Sequence, residues 1–257
     1  MTVSERAEAR RPPRNSLARK SGLAAAIIQA LQLFADLQVC TVRRDVKAWL
    51  AQRRGSLLEV GCGDQPYRAL VPKECDYLGI DQAAMKDEFD MGSAKEIILY
   101  SGAVFPCADG AFDALFHTEV LEHVFAYPEF LLECRRVLKT GGEMMFTVPF
   151  QARFHFAPHD YFRYTPSALQ LMLKDAGFED VQVMPRGTDI TVAGYKAAAI
   201  GFRWAYGGPA AKVLFVLTSP GTVLALALAH LSILWRLGSP DDCLGYSVTA
   251  KASPPAR

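Results

Sequence analysis

Acidic residues are missing from one long stretch of this chain. Between Ile190 and Pro240 there is no aspartate or glutamate, and Lys196, Arg203, Lys212 and Arg236 are the only formal charges. Val213 to Trp235 has no charged side chain of either sign. A helix on the surface of a soluble domain carries a polar face, so this stretch is not an ordinary solvated helix. The chain also lacks cysteine pattern. Its cysteines, at 40, 62, 75, 107, 134 and 243, share no paired spacing. That argues against a disulfide framework or a zinc ribbon, so the thiols read as reduced and cytosolic and no metal site is expected. Charge imbalance is absent as well. A net charge of +1 gives no overall field for a nucleic acid, and no internal repeat is visible. Half of the 257 residues are apolar, enough for one sizeable α/β core and an appendage.

What is there begins at Leu57. The run Leu57 to Tyr67 reads Leu-Leu-Glu-Val-Gly-Cys-Gly-Asp-Gln-Pro-Tyr. A strand-forming segment enters two glycines, which tolerate positive φ and close approach of a ligand. A glycine-rich turn after a strand sits at the carboxyl edge of a sheet, where open α/β folds bind ligands. A dinucleotide fingerprint would need a third glycine, but Pro66 holds that place. A second strand, Tyr77 to Ile80, ends at Asp81, 18 residues after Gly63. An acidic residue at that remove suits ribose hydroxyls, or it caps the next segment.

The run with Glu59 two residues before Gly61 resembles motif I of the class I S-adenosylmethionine-dependent methyltransferases, of the methyltransferase type 11 kind. Three later segments carry the same resemblance in the same order. Phe105 to Asp113 is similar to the family's turn before its fourth strand. Glu119-Val120-Leu121-Glu122-His123-Val124, after a strand Ala114–Thr118, is close to its Glu-x-Leu-Glu-His-Val segment. His159-Asp160-Tyr161-Phe162-Arg163-Tyr164-Thr165 resembles a signature of one branch. The resemblance covers about Gly55 to Met184, with a last strand at Leu244 to Ala250. It implies a Rossmann-like α/β fold with a seven-stranded, mostly parallel sheet and an antiparallel last strand.

The resemblance further implies S-adenosylmethionine as cofactor, with Glu59, Gly61, Cys62, Gly63, Asp81, Gln82 and Thr118 around it. Many relatives use an aspartate three residues before the proline of the 105–113 turn to meet adenine. Ala103 stands there, so backbone groups or Asp90 are left for that contact. His117 and Thr118 are expected to face the ligand crevice. His123 and His159 are the candidate catalytic residues. Imidazole titrates near neutrality and suits a general base for a hydroxyl acceptor; alternatively His123 only shapes the site. Asp160 and Arg163 read either as substrate-facing or as an ion pair, with Thr165 capping a helix that starts at Pro166.

The remaining organisation follows from periodicity. Residues 1–22 form a basic tail, either solvated or meeting anionic lipid, and no signal peptide is expected there. Leu23 to Arg53 reads as helix, or as two helices with a break near Val39. A methyltransferase domain is expected over 23–190 and a hydrophobic helical insertion over 191–240. The last strand and tail occupy 241–257. Val213 to Trp235 is long enough to span a bilayer, but one crossing would separate the strands on either side of it. Pro220-Gly221 offers a break, splitting the run into Val213–Ser219 and Thr222–Trp235, and the segment reads as a hairpin dipping into one leaflet, or as a two-pass hairpin with Thr191–Gly208 as its weaker partner. It would touch a membrane through 191–237 at its cytoplasmic face. A soluble lid or dimer face is the other reading.

The expected activity is methyl transfer to a small-molecule, lipid-linked or glycan acceptor, at an oxygen, with no nucleic-acid partner. A membrane-attached scaffold without activity and a nicotinamide-dependent oxidoreductase are the rivals. Pro66 argues against the second.

Overall fold

The computed structural model describes residues 23–86 and 97–254. The basic tail and Asp90 lie outside the described residues. The chain divides into two compact units. Among the described residues, one holds 44–184 and 246–254; the other holds 23–43 and 185–245.

The first unit is built on a seven-stranded sheet. Its strands are β1 (Gly55–Val60), β2 (Cys75–Gln82), β3 (Ile97–Tyr100), β4 (Phe112–Thr118), β5 (Leu138–Pro149), β6 (Phe178–Arg186) and β7 (Gly245–Ala252). The order is β3-β2-β1-β4-β5-β7-β6. β1 pairs in parallel with β2 and β4, β2 with β3, and β4 with β5. β7 is the antiparallel strand, inserted between β5 and β6. Leu57, Leu58 and Val60 of β1 and Leu115 and Phe116 of β4 are fully buried. Central parallel strands are covered on both faces, so they read as apolar runs rather than alternations. The strand order reverses between β1 and β4, and the crevice at that switch point is where such sheets take ligands.

Helix α3 (Tyr127–Val137) connects β4 to β5. Pro128 sits in its first turn, where its missing N–H costs nothing. Its buried stripe is Phe130, Leu131, Cys134 and Val137. Thr165 accepts the Ala168 amide at 3.3 Å and caps α4 (Pro166–Asp175), as its spacing to Pro166 predicts.

The second unit is helical. It holds α1 (Leu23–Ala35) and α2 (Leu37–Leu50) as far as Arg43; the two helices meet at Asp36, whose Oδ1 accepts the Val39 amide at 3.1 Å. The helical reading of 23–53 thus resolves into two helices, with α1 grouped with Pro185–Gly245 rather than with the sheet. α5 (Asp189–Ala205) and α6 (Pro209–Trp235) form an antiparallel hairpin. A Cβ on Gly194 would lie 2.6 Å from Ala229 Cβ and 2.7 Å from the Ala225 carbonyl, so only glycine permits this approach. Thr188 and Thr191 form a capping box at the start of α5, and Thr191 Oγ1 meets Ser232 Oγ at 2.7 Å across the hairpin.

The expected break at Pro220 is absent, and α6 runs unbroken through it. Pro220 removes the amide that would bond the Val216 carbonyl. The Ser219 hydroxyl donates to that carbonyl instead, at 2.9 Å. α6 is the one described helix long and apolar enough to cross a membrane.

Candidate active site

The glycine loop leaves β1 with Gly61 at φ +66° and Gly63 at φ +52°. A Cβ on Gly61 would lie 2.6 Å from Val120 Cγ2. The loop therefore packs against the segment that follows β4, and both motifs meet at the switch point. The Gly61 amide donates to the Ile80 carbonyl at 2.9 Å, tying the loop to the end of β2. Asp81 follows there. Its Oδ2 accepts the Gly63 amide at 2.7 Å and its Oδ1 accepts the Gln82 amide at 2.7 Å. Each carboxylate oxygen keeps a second lone pair for a hydroxyl donor. Burial pushes the Asp81 carboxyl up, and the two amides oppose that shift.

Glu59 is buried beneath the loop and accepts a hydrogen bond from the Tyr77 hydroxyl. Burial pushes its carboxyl up to about 8, against the opposing Tyr77 bond, and the Asp81 charge adds to the rise. Cys62 is turned inward: a Cβ on Gly79 would lie 2.9 Å from its Sγ. Gln82 donates from Nε2 to the Gly102 carbonyl at 3.0 Å. Thr118 is half-buried at the end of β4, and Glu119 beyond it turns the chain at φ +51°.

His117 does not face the crevice. It is fully buried, stacked on Phe146 at 4.7 Å and edge-on to Phe130 at 5.2 Å. Burial lowers its pKa to about 3.

The loop between β5 and α4 folds back over the turn after β4. The Tyr161 amide donates to the Glu122 carbonyl at 2.9 Å, and the Tyr164 hydroxyl donates to the Leu121 carbonyl at 3.1 Å. Arg163 holds Asp160 through two bonds of 2.6 and 2.9 Å, so this pair braces the loop. His123 and His159 come together here: His123 Nδ1 donates to the His159 carbonyl at 2.5 Å. Burial lowers His123 to about 4. His159 is exposed, with Nδ1 2.9 Å from the Tyr161 hydroxyl. Phe125 and Tyr161 are exposed and meet edge-on at 5.5 Å, giving this rim an aromatic surface.

The comparisons with known proteins fall on these same elements. Residues 58–146 match the family model described as a methyltransferase domain. That segment runs from β1 into β5 and contains the glycine loop, Asp81 and the turn after β4. Two probable S-adenosylmethionine-dependent methyltransferases of Mycobacterium tuberculosis strains are 29% identical over 139 residues, 49% of this chain and 49% of theirs. The chain thus spans about half the length of the curated relatives it matches. Solved structures share the methyltransferase fold. A methyltransferase from Archaeoglobus fulgidus superposes with a TM-score of 0.53 at 16% identity, covering 84% of this chain and 94% of its own. A possible histamine N-methyltransferase from Thermotoga maritima gives 0.52 at 14% identity, covering 89% and 96%. The methyltransferase seen with its Trm112 activator from Haloferax volcanii gives 0.55 at 15%, covering 83% and 90%.

The curated relatives are named for S-adenosylmethionine as their cofactor, and the residues of this site fit it. Two positive-φ glycines leave the loop open beside an acidic side chain that retains acceptor capacity. Sequence reasoning missed Tyr77, the partner of Glu59, and His155, which stands beside His123. No local pattern marks either, since each acts across the sequence.

Proposed function

We propose that this protein transfers a methyl group from S-adenosylmethionine to a small-molecule or lipid-linked acceptor at a membrane surface. The observation that carries the reading is the junction of Gly63 and Asp81 within the family-matched segment. Bound there, the cofactor supplies an activated methyl group on a sulfonium. Gly61 and Gly63 keep the loop free of Cβ atoms so that the methionine end fits. Asp81 accepts from the ribose hydroxyls through lone pairs its two amides leave open. Holding two reactants in line is worth roughly 7–11 kcal/mol, so positioning is this chain's main contribution. His159 and Tyr161 are the polar groups that meet the acceptor, on a rim where Phe125 offers apolar contact. An acceptor with a ring or acyl portion beside a hydroxyl suits that mixture.

The membrane part rests on the second unit. Val213, Leu217, Leu224 and Leu234 of α6 are exposed, Leu217 at 71% and Leu234 at 70%, and Ile27 and Leu31 of α1 are exposed too. Exposed apolar faces of this extent mark an interaction surface. α6 is about 40 Å long at 1.5 Å per residue, more than a hydrocarbon core of about 30 Å. β6 and β7 are neighbours in one sheet, so a single crossing between them is ruled out by topology. The hairpin instead lies in one leaflet, or both its arms cross.

Methyl transfer from labelled cofactor in the presence of lipid extract is the direct test, with S-adenosylhomocysteine titrated by calorimetry in parallel. Absence of cofactor binding would overturn the reading. Cosedimentation with anionic vesicles tests the membrane part separately.

A further inference from the structure

Glu122 has no evident purpose in the methyl-transfer reading. It is fully buried in the turn after β4, and among the described residues neither carboxylate oxygen has a hydrogen-bond partner. A buried carboxylate without a donor is costly, and burial pushes the Glu122 carboxyl up toward its neutral acid; a bound cation is what would hold it ionised. Two imidazoles stand beside it. One ligand atom from each of Glu122, His123 and His155 lies within 4.8 Å of the others. His123 Nε2 is 3.7 Å from Glu122 Oε1, and the two rings meet edge-on at 4.9 Å.

The outer contacts of the histidines narrow the chemistry. His123 Nδ1 donates to the His159 carbonyl at 2.5 Å. His155 Nδ1 lies 2.9 Å from the Arg153 carbonyl and 3.2 Å from Asp160 Oδ2. A carbonyl can only accept, so both rings carry their proton on Nδ1 and keep Nε2 as the lone-pair nitrogen. Histidines that ligate a metal through one nitrogen donate from the other to a carbonyl or carboxylate in this way. Asp160 is in turn fixed by Arg163.

We infer that Glu122, His123 and His155 form a binding site for a divalent cation of the zinc class. Two imidazoles and one carboxylate are the donor set of open zinc sites, with a further position for water or substrate. Nitrogen donors disfavour magnesium and calcium, which want oxygen ligands. Bonds of about 2.0–2.2 Å require the three groups to close on the ion from their present separation. His155, at 28% side-chain exposure against 19% for His123, is the more open of the two rings. The site sits where the 150–165 loop meets the turn after β4. A cation there would lock the loop that carries His159, and its open position would face an acceptor oxygen. The coordination inference does not depend on methyl transfer.

The test is metal content and zinc titration of the full chain, with cobalt as the spectroscopic probe. One equivalent of zinc per chain is expected, not displaced by magnesium. Glu122→Gln and His155→Ala should each weaken zinc binding more than about 100-fold. Asp160→Asn, acting through His155, should weaken it about 10–100-fold. Circular dichroism and S-adenosylhomocysteine affinity, measured on the same samples, report whether each variant is folded and separate this result from the cofactor reading. Cobalt should show d–d bands without a thiolate charge-transfer band. Zinc binding that is substoichiometric, unchanged in folded Glu122→Gln and His155→Ala, or accompanied by a thiolate band from one of the cysteines would overturn the inference.

Discussion

The two units treat apolar residues in opposite ways. In the sheet unit, Leu57, Leu58, Leu115 and Phe116 are fully buried. In the helical unit, the small residues Gly194, Ala198 and Ala229 are inside, and Val213, Leu217, Leu224 and Leu234 are outside. A soluble domain gains stability by removing apolar area from water. The sheet unit does this by itself. The hairpin buries Val192 and Leu226 but uses small residues for its closest helix contact and leaves many large ones exposed, which is how helices pack when the surroundings are apolar. Its hydroxyls follow the same rule. Thr218, Ser219 and Thr222 donate to carbonyls of their own helix at Leu214, Val216 and Thr218. Backbone and hydroxyl groups satisfied within the helix are what a lipid environment demands.

The comparison breaks hardest at Gly61. Gly61→Val would drive a branched side chain into Val120 at a positive φ. Backbone strain of about 1–3 kcal/mol is expected, and S-adenosylhomocysteine should give no measurable heat in calorimetry. Next, Leu217→Glu with Leu224→Glu places charge on the exposed face of α6. Vesicle cosedimentation should fall several-fold while the melting temperature barely moves, because exposed substitutions usually stay within about 0.5 kcal/mol. The mirror experiment is Gly194→Leu, which pushes α5 off α6. It should cost about 1–3 kcal/mol as overpacking, read as a lower melting temperature, without altering cofactor affinity. If the exposed pair destabilised more than Gly194→Leu, the inside-out description of the hairpin would be wrong. Asp81→Ala should weaken S-adenosylhomocysteine by about 1–3 kcal/mol, the cost of leaving buried hydroxyls unpaired. Unchanged affinity would remove Asp81 from the ribose site.

Much of the sheet unit was legible because its signals are local. A strand, two glycines and an acidic residue after the next strand state their geometry within 25 residues of sequence. The failures have physical causes. His117 was placed toward the crevice because it ends a strand. In β4, however, both faces are buried, so alternation carries no polarity and only the Phe146 and Phe130 contacts decide its direction. Pro220 was read as a break because proline removes an amide, but the adjacent Ser219 hydroxyl satisfies the freed carbonyl. His155 went unnoticed because its neighbours Glu122 and His123 lie over 30 residues away in sequence. The grouping of α1 with the hairpin was likewise hidden, since helical periodicity gives a face but not its partner.

The smallest expected effect concerns Glu59, a carboxyl buried among the apolar residues of β1. It is buried, and its carboxyl is pushed up to about 8 from an ordinary 4.5, chiefly by burial. The folded state therefore holds a proton that the unfolded chain releases at lower pH. Between 4.5 and 8 the folded form binds more protons, so stability falls as pH rises through that window. Below 4.5 both states are protonated and the contribution is fully present. Glu59→Gln keeps a neutral acceptor for the Tyr77 hydroxyl and removes the titration. Its melting temperature should decline less from pH 5 to pH 8 than that of the native chain, each kcal/mol of linkage reading as about 2–4 °C. Glu59→Ala, which leaves the Tyr77 hydroxyl without its partner, should lower the melting temperature at every pH. Parallel pH slopes for the native chain and Glu59→Gln would show that Glu59 is ionised throughout, with its counter-charge still to be found.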